Sequence, residues 1–589
     1  MNEIGFSSEK IARGGLRVYT TLDLDMNEMA LQTMQSQISR LSANNVSNAA
    51  VVVLKPITGE ILAMVGSVDY NNDAIDGRVN VAISLRQPGS TMKPFTYSAA
   101  LEAGMTPGDV IWDTPTKIGL PGSAPYEPVN YDRSFHGPVT MRYALANSYN
   151  IPAVQTLRRV SVEGLLAFMK RLGVDSLSDD ASRYGLSLTL GGGEVTLLEL
   201  TNAFAVFANE GVLVPSTAIL CVVDNDDNIL YQYENQCPRG SVTNNTINRS
   251  GFGKPALDPR IAFIISDILS DNAARSAAMG SNSPLYTPGI DTSVKTGTTN
   301  DVKDNWTVGY TRNVAVGVWV GNSRGEPMVN TSGLTGASPI WNNVITTIYN
   351  DQTMLGNFAI SSQLFPDQPD QPQGISLREI CDVRSLQDPA SDCRRINEWF
   401  LDSPAAIPDE NGNLYYPPAQ PSQEPPIDPN QPALQEISPS VFRVLVYRLN
   451  PGIASAIQFP TQPGQPVPPP PLYCQVPVSL DATARSLGAQ DQLFIAPPPV
   501  PEDAAAAEQY ARNQNLAFLP TVACSPELLQ GGGQQYGPTV TTAIITSPAP
   551  GQVLTQETPI LGTVQFPNDG QSFYKLEVIG GAFPDWVTI

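Results

Sequence analysis

RQPGSTMKPFTYSAALEAG, Arg86 to Gly104, is the stretch on which the reading of this chain turns. Pro88-Gly89 marks a turn, and Pro94 is tolerated in a helix only within the first turn. A helix is therefore expected over Pro94–Ala103 with Ser90 at its mouth. Ser90 and Lys93 stand at i and i+3 and share a helical face, which lets the hydroxyl meet the amine. Serine alone is a poor nucleophile, and a lysine takes its proton only if burial or another cation depresses the amine's pKa. Free backbone N–H groups at a helix mouth favour developing negative charge, which is where an acylating serine is useful. Ser-X-X-Lys by itself has little specificity: Ser7 to Lys10 repeats it without the turn or the helix.

Two downstream segments add to it. Ser148-Tyr149-Asn150, in ALANSYNIPAV, follows a helical run at Met141–Ala146 and offers a hydroxyl and an amide. Lys295-Thr296-Gly297-Thr298, in SVKTGTT, reads as strand and offers a cation, two hydroxyls and a glycine that permits close approach. In this order the three motifs resemble the active-serine penicillin-binding proteins and related β-lactamases. GGLRVYTTLD, KPITGEILAMVG, GPVTMRYALANSYNIPAVQ, LTLGGGEVTLLELTNAFAVFANEG and KTGTTNDVKDNWTVGYT are similar to the transpeptidase half of bifunctional class A penicillin-binding proteins. The similarity runs over roughly residues 12 to 345. The segment from about 540 resembles the Ig-like C-terminal module of some relatives.

The resemblance implies an α/β fold of the β-lactamase/D,D-peptidase type, with a central antiparallel sheet flanked by helices. It also implies a D,D-transpeptidase that cross-links peptidoglycan stem peptides through a serine acyl-enzyme. Ser90 would be the nucleophile and Lys93 its general base. Ser148 would relay a proton to the leaving D-alanine, and Asn150 would hydrogen-bond the substrate amide. Lys295, Thr296 and Thr298 would hold the terminal carboxylate on the strand that Gly297 opens, and the backbone N–H groups of Ser90 and Thr298 would form the oxyanion hole. Penicillins and other β-lactams would acylate the same serine. No metal and no cofactor is implied; the expected partners are stem peptides and a membrane-bound cell-wall synthesis complex. The expected location is extracytoplasmic, at the cell envelope. The glycosyltransferase region and membrane anchor of class A proteins do not occur in this chain, so glycan polymerisation is not expected of it. Water attacking the same acyl-enzyme would make a D,D-carboxypeptidase, and without chemistry the chain would be a β-lactam-binding scaffold or sensor. A β-lactamase would need a carboxylate for deacylation, and none is identified. Asn305 stands before Trp306 where the family pattern has a smaller residue, which bears on local substrate contacts.

Around these motifs the apolar pattern defines the organisation. Gly15–Leu22 reads as a strand, and Met26, Met29, Met34, Ile38 and Leu41 recur at helical spacing behind a cap at Asp25, an entry module over 1–45. AAVVVL and ILAMVG form a hairpin about Pro56 and Gly59. Helices are expected at Val162–Leu172 and Leu197–Asn209, and strands at Ser293–Thr298, Asn305–Thr311 and Val314–Val320, completing a transpeptidase domain over 46–350. Thereafter 35 of the 53 prolines crowd the chain. Residues 351–537 read as a Pro-rich, partly ordered linker region with ordered pieces at Ser440–Leu449 and in EDAAAAEQYARNQN. Residues 538–589 read as short strands of an incomplete Ig-like β-sandwich.

A net charge of -22 excludes a phosphate-backbone partner, so no nucleic acid is expected. Six cysteines without metal spacing suit disulfides, with Cys221/Cys237 and Cys381/Cys393 able to close locally; buried free thiols are the alternative. Gly321-Asn322-Ser323-Arg324-Gly325 matches a nucleophile elbow, but loop residues follow it and the only histidine, His136, precedes it, so that reading fails. His136 reads as a polar loop residue, and Gly191–Gly193 as a turn before a helix, since no Gly-Lys-Ser/Thr follows.

Overall fold

The computed structural model describes residues 6–387 except 13, 120–123 and 250–252. It then describes 390, 392–409, 413–416, 428–455, 457, 471–530 and four strands beyond. Its centre is a five-stranded antiparallel sheet built from β1 (Asn48–Lys55), β2 (Glu60–Val65), β3 (Ser293–Thr298), β4 (Asp304–Tyr310) and β5 (Ala315–Gly321), in the order β3-β4-β5-β1-β2. Every expected strand of this sheet lies within one residue of its observed place. The first hairpin and the last two strands pair side by side, Val51 opposite Val318, so the two ends of the domain close on each other.

β1 is buried along its whole length because the sheet is covered on both faces. Alternation then sorts its residues into two cores. Ala50, Val52 and Leu54 face one that includes Leu197, Leu200 and Phe204, whereas Ala49, Val51 and Val53 face Met26, Met34, Trp341 and Val344. The helices supplying these layers are α1 (Leu24–Arg40), α2 (Lys93–Glu102), α3 (Met141–Ala146), α4 (Asn150–Val160), α5 (Leu197–Ala208), α6 (Pro259–Ser270), α7 (Asn272–Met279) and α8 (Ser338–Asn350). Asp23, not Asp25, caps α1, accepting from the Met26 amide at 2.8 Å; the helix starts at Leu24, two residues earlier than its methionine periodicity indicates. α2 runs through the first core, where Phe95 meets Phe204 edge-on at 5.1 Å and Phe207 at 5.5 Å. Burying one such ring contributes about 1.5–3 kcal/mol, which anchors the helix carrying Lys93.

The Pro-rich half contains folded structure. β6 (Ile375–Cys381) pairs with β7 (Arg395–Leu401), β8 (Val441–Arg448) lies between neighbouring short strands, and α9 (Pro501–Asn513) follows. Cys221–Cys237, Cys381–Cys393 and Cys474–Cys524 form disulfides, the last spanning 50 residues. This unit packs on the loop between α2 and α3. Val110 and Trp112 join a core with Val441, Val444 and Phe494, and Trp112 Nε1 donates to the Ala496 carbonyl at 3.0 Å. Arg142 binds the fully buried Glu398 at 2.9 Å and also contacts Asp267 and Asp271. At the C-terminal end, Thr542–Ser547 pairs with Leu561–Gln565 and Glu577–Gly580 with Phe583–Thr588; the sandwich expected over 538–589 rests on residues outside the described ones. Among the described residues no helix is long and apolar enough to cross a membrane.

Arg142→Met would leave Glu398 buried without its cation and is expected to cost about 3–5 kcal/mol, read from the urea unfolding midpoint. Lys117→Met, at the exposed Lys117–Glu127 pair, should leave that midpoint unchanged.

Candidate active site

Three backbone segments converge where side chains would keep them apart. Ser90 lies in a tight turn, Gly89–Met92, that leads into α2, with Pro94 in the first helical turn as expected. Gly89 has a left-handed φ of 57°, and a Cβ there would stand 2.7 Å from the Thr298 amide nitrogen on β3. Gly297 faces the same turn from the strand: its Cβ would lie 2.2 Å from the Pro88 carbonyl oxygen. Its absence of a side chain therefore seats β3 on the serine turn. Gly191 closes the third side, with a virtual Cβ 2.1 Å from the Gly89 nitrogen and a φ of 87° that ends the turn Leu186–Leu190. Of the glycines at 191–193, read from sequence as a turn, Gly191 is thus the packing contact beside Ser90, while Gly192 and Gly193 face Ser187 and Leu177.

Within this frame, four of the expected site residues form one hydrogen-bonded cluster. Lys93 Nζ donates to Asn150 Oδ1 at 2.7 Å, to Ser148 Oγ at 3.2 Å and to the Ser148 carbonyl. Lys295 Nζ donates to the same Ser148 Oγ at 2.8 Å and to the Thr296 carbonyl at 2.9 Å. The two motif lysines therefore meet at one hydroxyl. Burial, then the neighbouring Lys295 charge, holds the Lys93 pKa well below its ordinary value, while Asp113 opposes them. Burial alone brings Lys295 down to about 7. The direct contact expected between Ser90 and Lys93 is not made: among the described residues the amine bonds to Ser148 and Asn150, and Ser90 stands half-buried one turn before α2. The i, i+3 rule assumes a regular helix, whereas Ser90 precedes it in a tighter turn.

Ser148 adopts φ 60°, a left-handed conformation costing a non-glycine residue roughly 1–2 kcal/mol. The strain is held by what surrounds it. Asn150 opens α4, and its backbone N–H donates to Asn130 Oδ1 at 2.8 Å, as does Ile151 N–H at 3.3 Å. Asn130 Nδ2 in turn donates to both carboxylate oxygens of the fully buried Asp113 at 2.8 Å. Asn150 Nδ2 donates to the Val129 carbonyl at 2.7 Å, so in this arrangement the amide orients Lys93 and the neighbouring loop. Thr298 Oγ1 accepts from Gly333 N–H at 2.9 Å, and Thr296 lies buried beside Lys295 on β3. Asn305 pairs with Thr298 in register but is wholly buried, its Nδ2 on Met328 Sδ, which removes it from substrate contact. Ser323 sits in the loop after β5, its Oγ accepting from Asn48 Nδ2, with no elbow geometry.

Asp113, Asn130 and His136 are the participants that sequence reasoning missed. They lie in the loop between α2 and α3, with no periodicity or motif spacing to connect them. The one signal was that the sole histidine stands a dozen residues before Ser148.

Residues 49–346 match the family described as penicillin binding protein transpeptidase domain. The chain is 29% identical over 392 residues to penicillin-binding protein 1C of Escherichia coli strain K12, covering 66% of this chain and 44% of that protein. It is 36% identical over 298 residues to penicillin-binding protein 1A of Neisseria meningitidis serogroup A, covering 50% of this chain and 34% of that protein. The chain thus spans less than half the length of these curated relatives. The fold is similar to the crystal structure of penicillin-binding protein 1A from Haemophilus influenzae, with a TM-score of 0.52 and 22% identity over 66% of this chain and 72% of that one.

Gly191→Ala and Gly104→Ala both place alanine at a left-handed φ, but only the first meets neighbouring backbone. Gly104→Ala should cost about 1 kcal/mol and Gly191→Ala some 2–3 kcal/mol more, compared by calorimetric unfolding.

Proposed function

The chain belongs to the penicillin-binding protein transpeptidase domain family, and on that premise we propose that it is a serine D,D-transpeptidase cross-linking peptidoglycan stem peptides. The observation that carries the reading is the meeting of Lys93 and Lys295 at the Ser148 hydroxyl, beside the turn that presents Ser90. Two buried amines sharing one half-buried hydroxyl disfavour double protonation, so one of them is available as a base near neutral pH.

The chemistry follows from that proton inventory. Ser90 Oγ attacks the carbonyl of the penultimate D-alanine, passing its proton to the Lys93 amine as the C–O bond forms. The tetrahedral oxyanion is held by the backbone N–H groups of Ser90 and Thr298, a pairing supported by the close approach of the neighbouring Gly89 to the Thr298 backbone. The amide C–N bond breaks as the proton reaches the leaving D-alanine through Ser148, whose hydroxyl accepts from both lysines and has its own proton to give. Lys295 in its charged form, with Thr296 and Thr298, holds the terminal carboxylate. Asn150 receives the substrate amide by exchanging the Val129 carbonyl for it. An amine from a second stem peptide then attacks the acyl carbonyl, giving up one N–H proton to Lys93, and Ser90 leaves with that proton returned to its oxygen, so that the serine is again a hydroxyl and Lys93 again the neutral base. A penicillin takes the first half of this route and stays on the serine because its leaving group remains tethered. Substrate of this kind lies outside the cytoplasm at the cell envelope, alongside a membrane-bound synthesis complex, and three disulfides fit an oxidising compartment.

Intact mass after incubation with a penicillin is expected to show one long-lived adduct on the wild type and none on Ser90→Ala. A folded wild type that takes up no penicillin would overturn the reading, and stem-peptide turnover to free acid without cross-links would reassign the chain as a carboxypeptidase. Acylation should slow by about tenfold per pH unit once pH falls below the depressed pKa of Lys93, because the base is then protonated. Lys93→Met should acylate at least about a hundredfold more slowly at all pH values.

A further inference from the structure

His136 lies outside all three motifs, yet it is wired to them. Its Nδ1 meets Asp113 Oδ2 at 2.5 Å, its backbone N–H donates to the same oxygen at 3.1 Å, and its Nε2 meets Asp132 Oδ2 at 3.1 Å. The ring lies on Tyr149, the middle residue of Ser148-Tyr149-Asn150, with centroids 3.8 Å apart and planes 13° from parallel. From Asp113 the network passes through Asn130 to the backbone amide of Asn150, and the Asn150 side chain accepts from Lys93. Every link is a direct hydrogen bond, and Asp113 is fully buried, so its charge is poorly screened at Lys93.

We propose that His136 is a positioning residue for acylation: as an imidazolium clamped between Asp113 and Asp132 and laid over Tyr149, it balances the Asp113 charge and holds the strained Ser148 turn against Lys93. The proposal rests on the acyl-transfer reading of Ser90. With both ring nitrogens facing carboxylates, only the doubly protonated ring donates to both. When the ring loses its proton, one contact sets two acceptors face to face, and Asp113 is left uncompensated. That charge raises the proton affinity of Lys93, the wrong direction for a general base. Burial lowers the imidazole pKa, but Asp113 and Asp132 outweigh it and leave it above the ordinary value. The clamp is therefore present below that raised pKa and is lost as pH rises through it.

The surrounding groups leave His136 as the titrating one. Tyr149 and Tyr510, whose hydroxyl donates to the Phe135 carbonyl, have pKa values raised by burial and stay neutral. Arg384 stacks on Tyr143. Lys93 and Lys295 do titrate, so the pH profile of the wild type alone does not isolate the histidine.

The test divides the wild-type rate of acylation by a fluorescent penicillin by that of His136→Phe, which keeps a ring over Tyr149 without charge; titrations common to both proteins cancel, and the ratio retains the part of the Lys93 titration that depends on the His136 charge. The ratio is expected to be about tenfold or more at low pH and to fall to one with a midpoint matching the single histidine resonance in NMR. His136→Gln, which keeps a hydrogen bond but no charge, should behave as His136→Phe does, and His136→Arg should retain the wild-type rate to higher pH. A ratio of one throughout, or a ratio independent of pH, would overturn the proposal. Should the His136 variants fail to fold, the native histidine suffices: the coupling between protonation of His136 and of Lys93 is reciprocal, so the histidine resonance must report the titration of Lys93 as a second inflection, lost in Lys93→Met, and a resonance identical in the two proteins refutes it. Absence of any Ser90 adduct on the wild type would be seen by mass as failure of the acyl-transfer reading, and it takes this proposal with it.

Discussion

Two lysine amines share one serine hydroxyl inside the protein, and the surrounding structure follows from holding them there. In water each would be an ammonium; in the cleft, burial and mutual repulsion lower the proton affinity of Lys93, and burial does the same for Lys295. An arrangement that disfavours its own charges must be imposed by packing. Lys93 is fixed by α2, threaded between aromatic rings of the first core, and Lys295 by a strand whose neighbour β4 is buried throughout. Neither amine has a carboxylate as its direct hydrogen-bond partner among the described residues. A carboxylate there would stabilise the charged form and disable the base.

The glycine contacts set how closely these elements approach. Without a side chain at 89, 191 or 297, the serine turn, the Leu186–Leu190 turn and β3 come within backbone van der Waals distance. Any Cβ would open the site by the ångström or so that separates a proton-transfer contact from an idle one. Glycine does two jobs here: left-handed backbone at 89 and 191, and close approach at 297, where the strand itself is regular.

Much of this was legible from sequence because it is local. The three motifs, the strands of the sheet and the helices flanking them follow from periodicity and turn chemistry, and the structure brings Lys93, Ser148, Asn150 and Lys295 into one cluster. What was not legible depends on tertiary contacts. The missing Ser90–Lys93 bond reflects a turn tighter than a helix. Asn305 departs from the family pattern beside the substrate strand, yet it is buried against Met328, distant in sequence, which the pattern on its own strand does not show. α4 begins within the Ser148 motif, where the signal of a serine–tyrosine–asparagine turn masks a helix start. The Pro-rich half reads as linker by composition, but proline is compatible with strand edges and helix first turns, as Pro501 at the start of α9 shows.

That folded C-terminal unit changes how the loop between α2 and α3 should be understood. Its contacts with Trp112 and the Tyr510 ring over Gly137 fall on the segment that carries Asp113, Asn130 and His136, and those with Arg142 and Arg158 hold the helices α3 and α4 that follow it. A long loop would ordinarily be the least stable part of such a domain. Here it supplies the Asn130 acceptor for the first amides of α4 and the buried Asp113 carboxylate whose charge acts on Lys93, so its rigidity matters as much as that of the sheet. Buried aromatic and ionic contacts from a second unit are a physical means to that rigidity, and they link a region that composition marks as a spacer to the proton affinity of the lysine beside Ser148.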